Sequence, residues 1–242
     1  MKDTTFTLIS NRQVAKNTYE WVLTGDTKGI REGQFVNIKL DGFYLRRPIS
    51  VCNCDGDRLT LIFKVVGDGT KVMAEAKEGE KFLILTGLGN GYNLAKSGHA
   101  PLLIGGGAGV PPMYLAARKL VAKGITPTVI LGFNTADEVF YKDEFEALGC
   151  KVLITTADGS VGIKGFVTNA MADLEYTYFY TCGPEPMLKA VYNASATDGE
   201  FSFEERMGCG FGACMGCSCE TKYGYKRICR DGPVLMKEEI VW

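Results

Sequence analysis

Five of the nine cysteines in this chain, Cys209, Cys214, Cys217, Cys219 and Cys229, fall within 21 residues. Four of them are spaced Cys209-x4-Cys214-x2-Cys217-x11-Cys229, and C-x4-C-x2-C with a distant fourth Cys is the plant-type ferredoxin spacing through which four thiolates hold a [2Fe-2S] cluster. The intervening Gly210, Gly212 and Gly216 let the backbone curl with its amides turned toward the sulfurs. A four-cysteine zinc site commonly uses two C-x2-C pairs; this chain has one such pair, and its outer spacings do not suit that site. Cys219 replaces Cys217 only by breaking the x2 spacing, so it is read as a spare thiol. The single histidine, His99, removes most His-based metal sites and His-dependent triads, and its place before an expected strand makes it a loop residue. No residue presents itself as a general base, and no catalytic side chain is assigned.

Two further patterns suit phosphate. In Leu45-Arg46-Arg47-Pro48-Ile49-Ser50, an arginine supplies a forked donor for a pyrophosphate, Pro48 fixes the backbone at a strand entrance, and Ser50 places a hydroxyl on the same face as Pro48. At the end of the next strand Lys64-Val65-Val66-Gly67-Asp68-Gly69-Thr70 follows, where Gly69 and Thr70 open a helix-like stretch whose amides can meet a phosphate. Alone, Arg-Arg-Pro reads as an exposed basic turn; the pairing of the two segments is more specific. The second pattern is Gly105-Gly106-Gly107-Ala108-Gly109-Val110-Pro111-Pro112, a glycine turn between strand and helix. It is not G-x-G-x-x-G, because Val110 stands at the third glycine position; its alternative reading is a tight turn packed on its own strand. Cys182-Gly183-Pro184-Glu185-Pro186-Met187 follows the last strand of the same region, at the same sheet edge. Phe133 to Glu138, after another strand, contains no Arg or Lys to meet a 2′-phosphate, which favours NAD over NADP.

The elements that must position these residues change character along the chain. Up to about residue 95 short strands alternate with turn signals, at Phe6–Ile9, Tyr19–Leu23, Phe35–Leu40 and Lys81–Leu85, and most clearly where Leu59, Leu61, Phe63 and Val65 share one face at period two. This pattern suggests a small antiparallel barrel. From Pro101 strands at 102–104, 128–131, 151–155 and 176–180 alternate with helical patterns at 110–121, 139–148, 167–174 and 186–193, implying a parallel sheet covered by helices, with ligands at the carboxyl ends of its strands. The last forty or so residues are rich in Cys and Gly with no long apolar period. The expected fold class is thus multi-domain, β then α/β: an antiparallel β-barrel over 1–96, a parallel-sheet α/β domain over 97–200 and a small cysteine-rich subdomain over 201–242.

Composition bounds the function. With 27 Lys plus Arg against 28 Asp plus Glu in 242 residues, no chain-wide basic field exists for nucleic acid or an anionic membrane. The uncharged run Ala100–Ala117 has the length of a membrane span, but its glycine triplet and proline pair mark a turn feeding a helix. The start MKDTTFTLIS shows no apolar h-region after a basic n-region, so a cytoplasmic location is expected. In that compartment nine cysteines are not a disulfide framework.

A barrel with Arg-Pro-x-Ser, then Gly-Gly-Gly-x-Gly-x-Pro-Pro and Cys-Gly-Pro-x-Pro-Met, then a C-terminal four-cysteine run, resembles the ferredoxin reductase-like flavoproteins. Most closely it resembles the electron transfer subunits of the NAD-dependent dihydroorotate dehydrogenase B type, and the likeness extends over essentially the whole chain. The resemblance implies that Arg47, Pro48, Ile49, Ser50, Ile62, Phe63, Lys64, Gly69 and Thr70 line FAD. It further implies that Cys209, Cys214, Cys217 and Cys229 ligate the cluster, while the glycine-turn and sheet-edge patterns put Gly105, Gly106, Gly107, Gly109, Cys182, Gly183 and Pro184 toward NAD. The wider family carries Arg-x-Tyr-Ser with its Tyr against the flavin ring; here Pro48 and Ile49 occupy the middle positions, so any stacking partner comes from elsewhere. The family arrangement implies an FMN-containing catalytic partner in an α2β2 assembly, electrons passing from it through [2Fe-2S] and FAD to NAD in pyrimidine biosynthesis. A (β/α)8 barrel needs about 250 residues by itself, so the dihydroorotate site belongs to that partner. The rival readings are a stand-alone NADH reductase serving a ferredoxin, oxygenase or hydrogenase, and a zinc-stabilised interaction module without enzymatic activity.

Overall fold

A computed structural model describes all 242 residues, Met1–Trp242. The N-terminal part is β1 (Lys2–Ala15), β2 (Thr18–Thr24), β3 (Phe35–Ile38), β4 (Arg47–Asp55), β5 (Arg58–Lys64), α1 (Asp68–Glu75) and β6 (Lys81–Leu88). The six strands close an antiparallel barrel in the order β1-β2-β5-β4-β3-β6. The period-two pattern of β5 accounts for both of its faces: Leu59, Leu61 and Phe63 enter the barrel core with Trp21 and Phe6, while Ile62 faces outward into a second core. Helix α1 plugs one end of the barrel through buried Met73. Its last carbonyls, which a helix leaves without partners, accept from the Trp21 indole (to Met73 O, 3.1 Å) and from Asn11 Nδ2 (to Ala74 O and Ala76 O, 3.0 and 2.9 Å).

The second part comprises β7 (Pro101–Gly106), α2 (Val110–Val121), β8 (Thr128–Phe133), α3 (Lys142–Ala147), β9 (Lys151–Thr156), β10 (Ile163–Lys164), α4 (Val167–Met171), β11 (Tyr178–Cys182), α5 (Glu185–Ala194) and β12 (Gly199–Ser202). The chain ends with β13 (Ser218–Thr221), β14 (Gly224–Arg227) and β15 (Val234–Met236). Seven strands form one sheet in the order β10-β9-β8-β7-β11-β12-β15, parallel except for the antiparallel β15, while β13 and β14 pair as a separate hairpin. Alternate residues of the central strands serve opposite faces: Leu103, Val129 and Leu131 pack with α2, and Leu102, Ile104 and Ile130 pack with α4 and α5. This explains why those strands read as continuous apolar runs. No helix is long and apolar enough to cross a membrane.

The fold class matches the expectation, and two details depart from it. The expected boundary at residue 200 falls inside β12, and β15, from the cysteine-rich segment, completes the sheet edge beside it. Barrel and sheet also share a bonded seam. Arg118 donates to Asn53 at 2.6 Å, Lys64 pairs with Glu138 at 2.7 Å, and Tyr141 donates to the buried carboxylate of Glu20 at 2.6 Å.

Candidate functional site

Along β4 the two arginines diverge. Arg46 forms a forked pair with Asp3, both N–H···O distances 2.8 Å. Arg47 lies 4.7 Å over the Phe43 ring and donates only to the Leu45 carbonyl, leaving the rest of its fork free. A Cβ on Gly69 would sit 2.1 Å from Arg47 Nε, so glycine at that position lets the guanidinium lie against the first turn of α1. Thr70 Oγ1 accepts from the Val66 and Gly67 amides at 2.9 and 3.1 Å and donates back to Gly67 O. Its hydroxyl therefore holds the turn, and the free amides of the first turn of α1 are what remain for an anion.

These residues border a cleft of about 370 Å³ that draws on all three parts of the chain. Arg47, Pro48, Ile49, Ser50, Ile62, Phe63, Lys64 and Thr70 form its barrel wall; Gly69 lies behind Arg47. The opposite wall consists of Ala108 from the glycine turn, Ser202 at the end of β12 with Phe203 to Glu205 after it, Met207 and Pro233. Sequence reasoning missed that wall, and Phe35 with it, because these residues reach the cleft only through folding. Phe35 and Phe203 are aromatic groups on the cleft beyond the Arg-Pro-Ile-Ser motif. An arginine fork and free helix amides at one end, with apolar and aromatic walls, suit a dinucleotide with a planar ring, and the residues fit FAD.

The glycine turn divides into packing and access. A Cβ on Gly105 would lie 2.7 Å from Val110 Cα, on Gly106 2.3 Å from Met187 Sδ, and on Gly109 2.1 Å from the Cys182 carbonyl oxygen. These three are buried and let the turn pack closely on α2, on α5 and on the end of β11, respectively. Gly107, with φ of +52° and open space where a Cβ would be, borders with Ala108 a small cleft between the barrel and the loop after β8. Cys182 is 1% exposed, and burial pushes its thiol well above the usual range, against a hydrogen bond to Ser202 that lowers it. The geometry gives it a packing place. Gly183 and Pro184 open instead onto a cleft of about 450 Å³ beside Phe203 and Glu204. Glu204 is exposed and borders both this cleft and the one along Arg47–Ser50. In the loop after β8, Asp137 and Glu138 pair with the barrel's Lys16 and Lys64 at 2.9 and 2.7 Å, so neither lysine is free for a 2′-phosphate.

The four spaced cysteines fall into two pairs. The side chains of Cys209 and Cys214 interact, as do those of Cys217 and Cys229, and no three Cys, His, Asp or Glu groups close on one ion position. A two-iron cluster asks for such an arrangement, since each iron takes two thiolates. Cys209 Sγ accepts from the amides of Ala213 and Cys214 at 3.2 and 3.4 Å, and Cys217 Sγ from the Cys229 amide at 3.4 Å. Desolvation opposes ionisation of Cys209, but the amides of Cys214, Phe211 and Ala213 outweigh it and bring the thiol down to about 6. Burial, then Cys217, pushes Cys229 up to about 12, a thiol that bound metal would deprotonate. A Cβ on Gly208 would come within 3.3 Å of Cys214 Sγ, and Arg227 braces the loop by donating to Gly212 O at 2.8 Å. The residues fit a [2Fe-2S] cluster. Cys217 and Cys229 are buried among Phe35, Phe201 and Ile228, whereas Cys214 is exposed with Phe211 and Met215 beside it. Cys219 is half-buried on the β13–β14 hairpin, outside both pairs.

Barrel, α/β sheet and cysteine loop around one cleft define an iron-sulfur flavoprotein of the ferredoxin reductase type. An NADH-dependent reduced ferredoxin-NADP oxidoreductase studied for flavin-based electron bifurcation superposes with a TM-score of 0.89 at 29% identity, covering 98% of this chain and 90% of that one. Phthalate dioxygenase reductase shares the fold, with a TM-score of 0.68 at 21% identity over 82% of this chain and 67% of its own. Residues 103–193 match the oxidoreductase NAD-binding domain, and residues 204–241 the iron-sulfur cluster binding domain of dihydroorotate dehydrogenase B. The dihydroorotate dehydrogenase B (NAD(+)) electron transfer subunit of Fusobacterium nucleatum is 45% identical over 99% of both chains, and that of Bacillus pumilus 42% identical over 99% of this chain and 98% of its own. The chain belongs to the family of dihydroorotate dehydrogenase B electron transfer subunits.

Proposed function

We propose that this chain passes electrons between the FMN of a dihydroorotate-oxidising partner subunit and NAD, in the pyrimidine route to UMP. The observation that carries the reading is the three-sided cleft. A flavin on the Arg47–Ser50 strand has the strand ends of the NAD-binding sheet on one side and, through Phe203 to Met207, the start of the cysteine loop on the other. When bound, FAD supplies hydride exchange with nicotinamide and single-electron exchange with a [2Fe-2S] cluster.

The chain's own residues bind and orient. Arg47 and the first turn of α1 hold the pyrophosphate, and Pro48 to Ser50 with Ile62 to Lys64 hold the ring end. Gly107, Gly183 and Pro184 leave room for NAD at the carboxyl ends of β7 and β11. Cys209, Cys214, Cys217 and Cys229 hold the cluster, with the half carrying Cys214 toward solvent. Exposed Phe211 and Met215, 45% and 61% accessible, flank that half and supply an apolar contact for the partner.

Co-purification from the native host tests the reading. It expects an FMN-containing catalytic subunit, one FAD and two irons per copy of this chain, an α2β2 mass and a cytoplasmic fraction. A colourless, zinc-containing preparation would overturn it. The likeness to the ferredoxin-NADP oxidoreductase favours one alternative, a reductase serving a ferredoxin; recovery of a ferredoxin in place of the dihydroorotate-oxidising subunit would decide for it.

A further inference from the structure

Asn37, in the middle of β3, belongs to no motif. It is 1% exposed. On the outer face of the barrel its neighbours are Phe35, two residues back, and Pro48, directly across the ladder, and both border the flavin cleft. Its Nδ2 donates to the carbonyl of Cys209 at 3.5 Å. A Cβ on Gly210, whose φ is +77°, would lie 2.3 Å from the same nitrogen, so a glycine is needed there both by the backbone and by the approach of this amide. Asn37 Oδ1 has no partner although it is shielded from water. A buried acceptor left unpaired is destabilising, and an apolar side chain in the same seam would avoid that cost. Packing therefore does not explain an amide here, and a locally unfavourable choice between two cofactor sites marks a functional position.

We propose that Asn37 is a positioning residue that fixes the Cys209 end of the cysteine loop against the flavin face of the barrel, and so sets the geometry and surroundings of electron passage between cluster and flavin. The proposal rests on the cofactor reading above. Asn37 ligates no metal and adds no redox step. It acts through the Cys209 backbone and through the polar environment of the Cys209 sulfur, one of the influences on cluster potential.

The test uses the complex with its catalytic partner. Asn37→Ala and Asn37→Ser are compared with the unaltered chain for FAD and iron content, for the EPR spectrum and midpoint potential of the cluster, and for the stopped-flow rate of cluster reduction after mixing with NADH, scaled to flavin reduction. Asn37→Ala is expected to keep its FAD, shift the EPR signal and potential, and slow cluster reduction roughly tenfold, as misplacement of reacting groups does. Asn37→Ser, whose hydroxyl is a smaller donor, is expected to fall between. Unchanged spectrum, potential and rate in Asn37→Ala would overturn the proposal. If that variant fails to assemble a cluster, Asn37→Ser carries the same comparison, and values equal to the unaltered chain overturn it. Absence of FAD or iron from the unaltered complex would overturn the cofactor reading, and this proposal with it.

Discussion

Arg46 and Arg47 are identical and adjacent, yet their surroundings assign them opposite tasks. Arg46 is closed on Asp3 in a partly exposed pair, an interaction worth at most about 1 kcal/mol. Arg47 keeps its fork open over the cleft proposed for FAD, and losing charge-assisted hydrogen bonds to a phosphate costs about 1.5–3 kcal/mol. Arg47→Ala is therefore expected to weaken FAD binding by roughly 10- to 100-fold, measured by flavin fluorescence titration, whereas Arg46→Ala leaves it near the unaltered value. Equal losses in both variants would contradict the division. Gly69→Ala should copy Arg47→Ala with the fold intact, because its methyl group occupies the place of the guanidinium. At this scale the cysteine run was the most legible feature, since its chemistry lies in spacing along one loop. Asn37 was illegible: its meaning comes from Cys209 and Gly210, more than 170 residues away.

Helix α1 shows how an element serves a site from its far end. Its first turn faces the cleft, while its last carbonyls are held by Asn11 of β1 and Trp21 of β2. Asn11→Ala removes the amide donor and is expected to cost about 1–3 kcal/mol of stability, seen as a lowered Tm. It should also weaken FAD binding, because the helix is then less firmly seated. A lowered Tm with unchanged FAD affinity would mean that the first turn is held independently of the last. The strands and long helices were readable where the pattern was local: alternation gave β5, and the proline pair with its apolar period gave α2 its bounds at Val110 and Val121. β12 and β15 were not, since four and three residues become strands only by pairing with β11 and with each other. The Phe203–Met207 wall was hidden for the same reason.

Across the whole molecule, the domains form a relay only if their seams hold. Lys64 and Glu138 join the barrel to the loop after β8, and Asn37 joins it to the cysteine loop. The route predicts a separable phenotype. Cys214→Ser should spoil the cluster and abolish dihydroorotate-to-NAD turnover in the complex, while most NADH-to-dye reduction through FAD remains. Full dihydroorotate turnover in that variant would refute the path. The order of the domains was legible from the change in rhythm near Pro101. The shared cleft was not, because it forms between segments that carry no common signal.

The return of β15 to the sheet has a consequence for how such proteins can be recombined. The cysteine-rich segment does not hang from the end of the chain as a cassette. Its last strand covers the edge of β12, and Asn90 of the barrel side clasps it through the Gly232 and Val234 carbonyls at 2.7 Å each. A graft made at residue 200 would cut through a strand and bare a sheet edge open to intermolecular pairing. Exchange of cluster modules between reductases of this build therefore has to carry β12 through β15 as one piece, together with the residues that grip it.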